Sequence, residues 1–230
     1  MIILSTILTL LILTSCSSIN DCDNRFYFSN CDLDIPIVQL DYAKNFDSTR
    51  CEIQNQFKDD LSEWCSWVEF KIPFEFDCKK GYLKVLADFD YPFGKNCPDP
   101  IRLRYYYTII ININSQLIVN GELMQYDSLK SSILNYFNNV GNKEGFYPEK
   151  YDQVNFLLYW DRKTKSSSIE KVLTEISNAH LLFVEQKVTM NGFKFCNLTI
   201  RELDSLKSMY PIRIELDLGK IRRMAPPDIK

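Results

Sequence analysis

Hydrophobic patterning is sharpest in the second half of the chain. Tyr105 to Ile113 is a β-branched and aromatic run, which predicts a strand. Gln116-Leu117-Ile118-Val119 predicts another and leads into Asn120-Gly121, a pair that accepts the positive φ angles of a type I′ hairpin turn. Asp127 stands where a helix cap is expected, ahead of an apolar stripe of Leu129, Ile133, Leu134, Phe137 and Val140, and Gly141 is suited to end that helix in the left-handed conformation. Val154 to Trp160 is apolar on both faces, as a central strand would be. Ser167-Ser168-Ile169-Glu170 has capping-box spacing and precedes a stripe of Ile169, Val172, Leu173, Ile176 and Ala179. Leu181 to Val188 then predicts a strand. Beyond Asn191-Gly192, Phe193 to Ile200 and Ile212 to Leu218 predict two more, with a short helix near Arg201 to Ser208 between them. The tail from Met224, with Pro226-Pro227, is expected to be loose.

The block from Tyr105 therefore reads β-β-β-α-β-α-β. Val154–Trp160, the helix after it and Leu181–Val188 form a crossover unit whose two strands can lie parallel. Each helix has a single apolar face, so the helices should cover one side of a sheet. The expected fold class is α+β: a mixed sheet with two helices packed on one face, plus an N-terminal cysteine-rich segment that contains strands.

Residues 20–104 are less regular. Ile35 to Leu40 reads as a short strand whose Pro36 suits an edge or a first position. Ile53, Phe57, Leu61 and Trp64 have helical spacing within Cys51 to Trp67. Val68 to Phe76 alternates cleanly, with Pro73 as an interruption, and Tyr82 to Phe89 is a further strand candidate. The breaker-rich stretch from Tyr91 to Pro100 is the best internal boundary.

The N-terminal segment is of another kind. Ile2 to Leu13 is almost wholly apolar, and Leu13-Thr14-Ser15-Cys16 closes it with small residues before a cysteine. About 12 apolar residues suit an export signal, whereas a spanning helix needs about 20. The expectation is a bacterial lipoprotein signal over residues 1–15, with Cys16 as the lipid-attachment residue and Ser17, Ser18 and Asn20 opening a polar tether. No Lys or Arg precedes the apolar run, which departs from the usual signal and keeps an uncleaved anchor helix as the alternative.

The expected organisation is thus a signal peptide (1–15), a tether and cysteine-rich segment (16–104), an α+β domain (105–190) and a C-terminal extension (191–230). With 46% hydrophobic residues in 230, the chain can build a real core, and nothing in its net charge of −3 points to an electrostatic grip on nucleic acid. Apart from Cys16 there are Cys22, Cys31, Cys51, Cys65, Cys78, Cys97 and Cys196. In an exported protein these favour disulfides, with one thiol left over. No pair has C-x₂-C spacing and His180 is the sole histidine, so no metal site or cofactor is expected.

The stretches IIININSQLIVNGELMQYDSLKSSILNYF and VNFLLYWDRKTKSSSIEKVLTEISNAHLLFV resemble, in order and spacing, the periplasmic domain of the ExbD/TolR family, small subunits of proton-driven transport motors. Asn120-Gly121 falls at that family's hairpin turn and Asp161 at its strand-ending acidic residue, over about residues 105–188. The resemblance implies the fold and a docking role. It does not imply motor activity, because the family's membrane helix carries an essential Asp and this chain has no acidic residue before Asp21. Trp160 and His180 also stand where the family has small residues.

Candidate chemistry is sparse. Asp161, Arg162 and Lys163 form the most polar turn near a strand end and are the candidate partner-binding residues; as an ordinary turn they would simply be solvated. No catalytic residue is assigned. There is no G-x-S-x-G, G-x-G-x-x-G or H-E-x-x-H, and Asp59-Asp60 and Asp88/Asp90 read as solvated acids. A hydrolase built on His180 with Cys196 or a serine is the non-binding alternative. The expectation is a non-catalytic docking or scaffold protein of the bacterial envelope. Its partners would be a membrane, through lipid on Cys16, and an envelope protein or cell-wall polymer.

Overall fold

The structure, a computed structural model, describes residues 35–44, 46–58, 67–76, 79–89, 106–143, 147–161, 164 and 167–218. Seven strands form one mixed sheet: β1 (Trp67–Phe76), β2 (Lys79–Asp88), β3 (Tyr106–Ile111), β4 (Leu117–Val119), β5 (Glu122–Met124), β6 (Asn155–Trp160) and β7 (Ile214–Asp217). Their spatial order is β1-β2-β7-β6-β3-β4-β5. The four inner strands β2, β7, β6 and β3 are mutually parallel, while β1 and the β4-β5 hairpin border them antiparallel. The described helices are α1 (Phe46–Gln56), α2 (Tyr126–Asn138), α3 (Ser167–Met190) and α4 (Ile200–Met209), so the fold is α+β as expected. Strands from before Tyr91, from the middle block and from the C-terminal stretch all join this sheet.

Alternation decides which face is covered. Phe70, Val85, Ile214, Phe156 and Tyr107 stand in one row across five strands, and all are buried. Ala87, Leu216, Leu158, Ile109 and Val119 make a second such row. The helices gather on this side. Tyr136 of α2 meets Tyr107 at 4.9 Å between ring centroids, and Phe137 meets Phe156 at 5.7 Å. Phe183 of α3 stacks on Phe137 at 5.0 Å, and Phe57, just beyond α1, stacks on Phe70 at 5.7 Å. The chain steps from β3 to β6 to β7 in one direction across the sheet. Crossovers of one hand then place the connecting helices on a common face.

Several local expectations hold. Asn120 (φ 49°) and Gly121 (φ 90°) occupy the positive-φ positions of the β4-β5 turn, and β6 lies in the middle of the sheet. Contrary to expectation, Pro73 does not interrupt β1, which pairs with β2 straight through it (Pro73 opposite Tyr82), because β1 is the outermost named strand, where a missing N–H costs least.

Others are corrected. Leu181–Val188 is not a strand; α3 runs without a break through Met190. Its buried positions Ile169, Val172, Leu173, Ile176, Ala179, His180, Phe183, Val184 and Val188 keep helical spacing throughout, whereas a strand would have placed Gln186 on the apolar side with Leu182 and Val184. The strand that follows β6 and pairs parallel to it is consequently β7, reached through α3 and α4. Phe193–Ile200 is a turn and a 3₁₀ segment (Phe195–Asn197) rather than a strand, because Phe195 and Leu198 are both buried three residues apart. Ile35–Leu40 makes only a bridge from Ile37 to Lys71, since Pro36 has no N–H to extend a ladder. Asp127 lies within the first turn of α2, not at its cap, which is Gln125; there its charge meets the positive helix end. Of the helix expected over Cys51–Trp67, α1 carries the beginning, starting earlier at Phe46; Leu61 and Trp64 lie outside the described residues.

Phe183 touches α2 through Phe137 and the chain flanking β6 and β7 through Tyr151 and Tyr210, at 5.0, 5.3 and 5.5 Å. Phe183→Ala should cost about 3–5 kcal/mol in denaturant unfolding, as expected for a buried aromatic. If residues 181–188 were an edge strand, the loss would be far smaller.

Candidate functional site

In a sheet with parallel inner strands, the carboxyl ends of those strands form the natural place for a site. Here β6 ends at Trp160 and β3 at Ile111, side by side. The Asp161 N–H donates to the Ile111 carbonyl at 2.9 Å, which carries the ladder one residue past the named strands. The Asp161 carbonyl accepts from the Thr164 N–H at 2.9 Å. Thr164 is buried (1% exposed) and its hydroxyl donates to the Asn112 carbonyl at 2.9 Å. The polar turn is thus pinned to the end of β3 by a threonine inside it.

Asn112 organises the neighbouring loop. Its Oδ1 accepts from the N–H groups of Asn114 (3.0 Å) and Gln116 (2.9 Å), and its Nδ2 donates to Gln116 Oε1 (2.8 Å). Ser115 takes a positive φ of 57° inside this turn, and Tyr126 at the start of α2 donates its hydroxyl to the Ser115 carbonyl at 3.3 Å. Lys171 of α3 lies 4.7 Å from the centre of the Tyr126 ring, a cation–π contact. One hydrogen-bonded rim therefore links β3, β6 and α2, the cation–π contact joins it to α3, and Ile113 (51% exposed) projects from it.

Of the candidate partner-binding residues, Asp161 stands half-buried on this rim and has interactions of its own; Arg162 and Lys163 lie outside the described residues, as does Cys16. On the sheet face away from the helices, Asp88 and Asp217 are register partners near the same edge. Tyr159 is hydrogen-bonded to Asp217, and burial, reinforced by the carboxylates of Asp217 and Glu215, pushes its phenol up to about 12. Sequence reasoning missed this pair, because only the β6-β7 register brings residues 159 and 217 together.

His180 has a structural setting. It is 1% exposed, packs against Phe137 at 5.3 Å, and has Nε2 2.8 Å from the Tyr210 carbonyl. A carbonyl only accepts, so Nε2 carries the proton. Ser177, one turn earlier, donates its hydroxyl to the Leu173 carbonyl at 2.7 Å. Burial lowers the His180 pKa to about 4, despite the opposing hydrogen bond to Tyr210. The ring ties α3 to the end of α4.

The Cys51 thiol is free and exposed, and accepts a weak hydrogen bond from Asn55 at 3.5 Å. Cys22, Cys31, Cys65, Cys78 and Cys97 lie outside the described residues, as does the side chain of Cys196. Among the described residues, no group of three or more His, Cys, Asp or Glu side chains is placed to hold a metal ion, and no helix is long and apolar enough to cross a membrane. Comparison of the chain with protein-family models, curated proteins and solved structures gives no match.

Two measurements check these contacts. Thr164→Val keeps the shape but removes one of the two hydrogen bonds to the Asn112 carbonyl, the Ser115 N–H at 2.9 Å being the other, and should cost about 0.5–1.5 kcal/mol in equilibrium unfolding. For His180, both folded and unfolded chains are neutral above pH 6.5. Below that the unfolded chain takes up a proton, while the folded one resists until about pH 4. Stability should therefore fall by roughly 3 kcal/mol as pH drops across that window. A His180→Gln chain should show a flatter curve over the same range.

Proposed function

We propose that this chain is a membrane-tethered protein of the bacterial cell envelope that acts by recognition, as a docking or scaffold domain without catalytic activity. The observation that carries the reading is Leu13-Thr14-Ser15-Cys16 at the end of an apolar run. Small residues fit a signal peptidase, and the following thiol accepts lipid. Each buried acyl CH₂ contributes about 0.8 kcal/mol, so several chains on Cys16 hold the protein to a bilayer almost permanently.

The rim at the ends of β3 and β6 supports a recognition role. It is a surface of backbone and amide groups whose geometry is set by Thr164, Asn112 and Tyr126 rather than by a ligand. Asp161, with Arg162 and Lys163 next to it in sequence, is where an envelope protein or a cell-wall polymer would be met. The burial of His180 against Phe137 weighs against the reading that makes it a hydrolase's base. A second reading, an ExbD-like transport subunit whose N-terminal helix stays in place, is favoured by the Asn120-Gly121 hairpin followed later by Asp161 at the end of β6.

Mass spectrometry of the protein extracted from envelopes tests the choice. Acylated Cys16 as the first residue is the expected result, and Cys16→Ser should abolish the modification. An intact Met1 in a membrane-bound product would support the second reading. An unprocessed, unacylated product dissolved in the cytosol would overturn both.

A further inference from the structure

The far end of α3 carries an arrangement that the core does not require. Met190 is 80% exposed and Phe193 is 59% exposed, among the most exposed large apolar residues of the described chain. They flank Asn191-Gly192, and the turn between them is rigidly built. The Gly192 N–H donates to the Thr189 carbonyl at 2.9 Å and the Phe193 N–H to the Val188 carbonyl at 3.2 Å. With Gly192 at φ 80°, this is a Schellman motif. Asn191 Nδ2 adds a bond to the Lys187 carbonyl at 2.9 Å.

The return path is fixed as well. Phe195 and Leu198 are buried (5% and 7% exposed) and anchor the segment inward. Thr199 and Glu202 then form a complete capping box at the start of α4, with the carboxylate accepting from Thr199 N–H and hydroxyl at 2.7 Å each. Two apolar side chains are thus turned inward and two outward on one stiff turn. The residue at the Phe193 position of a Schellman turn frequently packs back on its own helix; here more than half of it stays exposed.

We infer that Met190 and Phe193 form a wedge that enters the interfacial layer of a phospholipid bilayer. The size of the patch argues for lipid over protein. Two side chains fall well short of the roughly 800 Å² per partner of a standard protein interface, whereas transfer of each large apolar group out of water is favourable by about 1.5–3 kcal/mol. The flanking charge fits phosphate headgroups: Lys194 and Arg201 are exposed beside the turn, and Lys187 lies over the Phe183 ring one turn back. Glu202 keeps its negative charge within the capping box and Glu185 lies further up the helix, so around the turn the cations Lys187, Lys194 and Arg201 outnumber the carboxylates three to two. The wedge lies at the other end of α3 from the Asp161 rim, so the two surfaces are separate. The inference stands apart from lipid on Cys16, because the readout is local to the tip.

Phe193→Trp in the full chain tests it, with the wild type (Trp64, Trp67 and Trp160) as the fluorescence background. With vesicles of phosphatidylcholine and phosphatidylglycerol in equal parts, the added emission should shift to the blue. Brominated phosphatidylcholine should then remove most of it, and the effect should weaken as salt is raised. Met190→Trp provides a second reporter should the first variant fold poorly. Emission from both positions that ignores vesicles overturns the inference, even when the protein sediments with them through its N-terminal segment. So does a blue shift that grows with protein concentration in the absence of lipid, which would mark a contact between copies.

Discussion

The stack of Phe156, Phe137 and Phe183 is the contact through which the sheet, α2 and α3 become one body. Phe156 belongs to the central strand, Phe137 to the helix above it and Phe183 to the helix beside that one. Buried aromatic groups of this size dominate core energetics, and offset or edge-on ring pairs add about 0.5–1.5 kcal/mol beyond the area they bury. Around the stack stand Tyr107, Tyr136, Tyr151, Tyr210 and His180, each in ring contact with a member. Tyr107 shows how the polar ends are handled: its hydroxyl donates to Ser132 on α2 at 2.6 Å, while its ring lies among the core side chains. The cluster is therefore both apolar filling and a set of oriented hydrogen bonds, which fixes helix positions more narrowly than aliphatic packing alone.

That arrangement explains what could be read from the chain and what could not. The alternation of Val68, Phe70 and Ile72, the Asn120-Gly121 turn and the stripe of α2 are local signals, and local backbone geometry fulfils them. The error over residues 181–188 came from composition: Leu181, Leu182, Phe183 and Val184 form a short apolar run that suits a strand or a buried helix alike. Continuity with the stripe starting at Ile169 is what distinguishes them, and Gln186 is the residue that a strand could not have placed. The pairing of β2 with β7, across more than 120 residues of chain, left no local trace. Of the rim, Asp161 was legible as a charged residue after a strand. Thr164 and Asn112 were not, because their roles depend on β3 and β6 being neighbours.

Sheet and helix lengths then separate the molecule's two outward-facing features. β6 has six residues, about 20 Å of strand, whereas α3 has 24 residues, about 36 Å of helix. The helix starts close to the rim at Asp161 and Thr164, and Phe183 is already level with Tyr151, which precedes β6. The residues from Val184 to Met190 therefore lie beyond the amino end of β6, at the end of the sheet where only the longer β1-β2 hairpin continues. A helix end would fray if left alone. Phe195 and Leu198 are buried just beyond it, the Schellman turn satisfies orphan carbonyls at its end, and the capping box does the same for the N–H groups that open α4. That investment in order accounts for the inward half of the turn. It gives no reason for Met190 and Phe193 to be apolar, since polar residues would serve the same backbone at lower cost in water. What sets them apart from the other exposed apolar residues is their placement three residues apart on one hydrogen-bonded turn, which holds both outward at the same helix end.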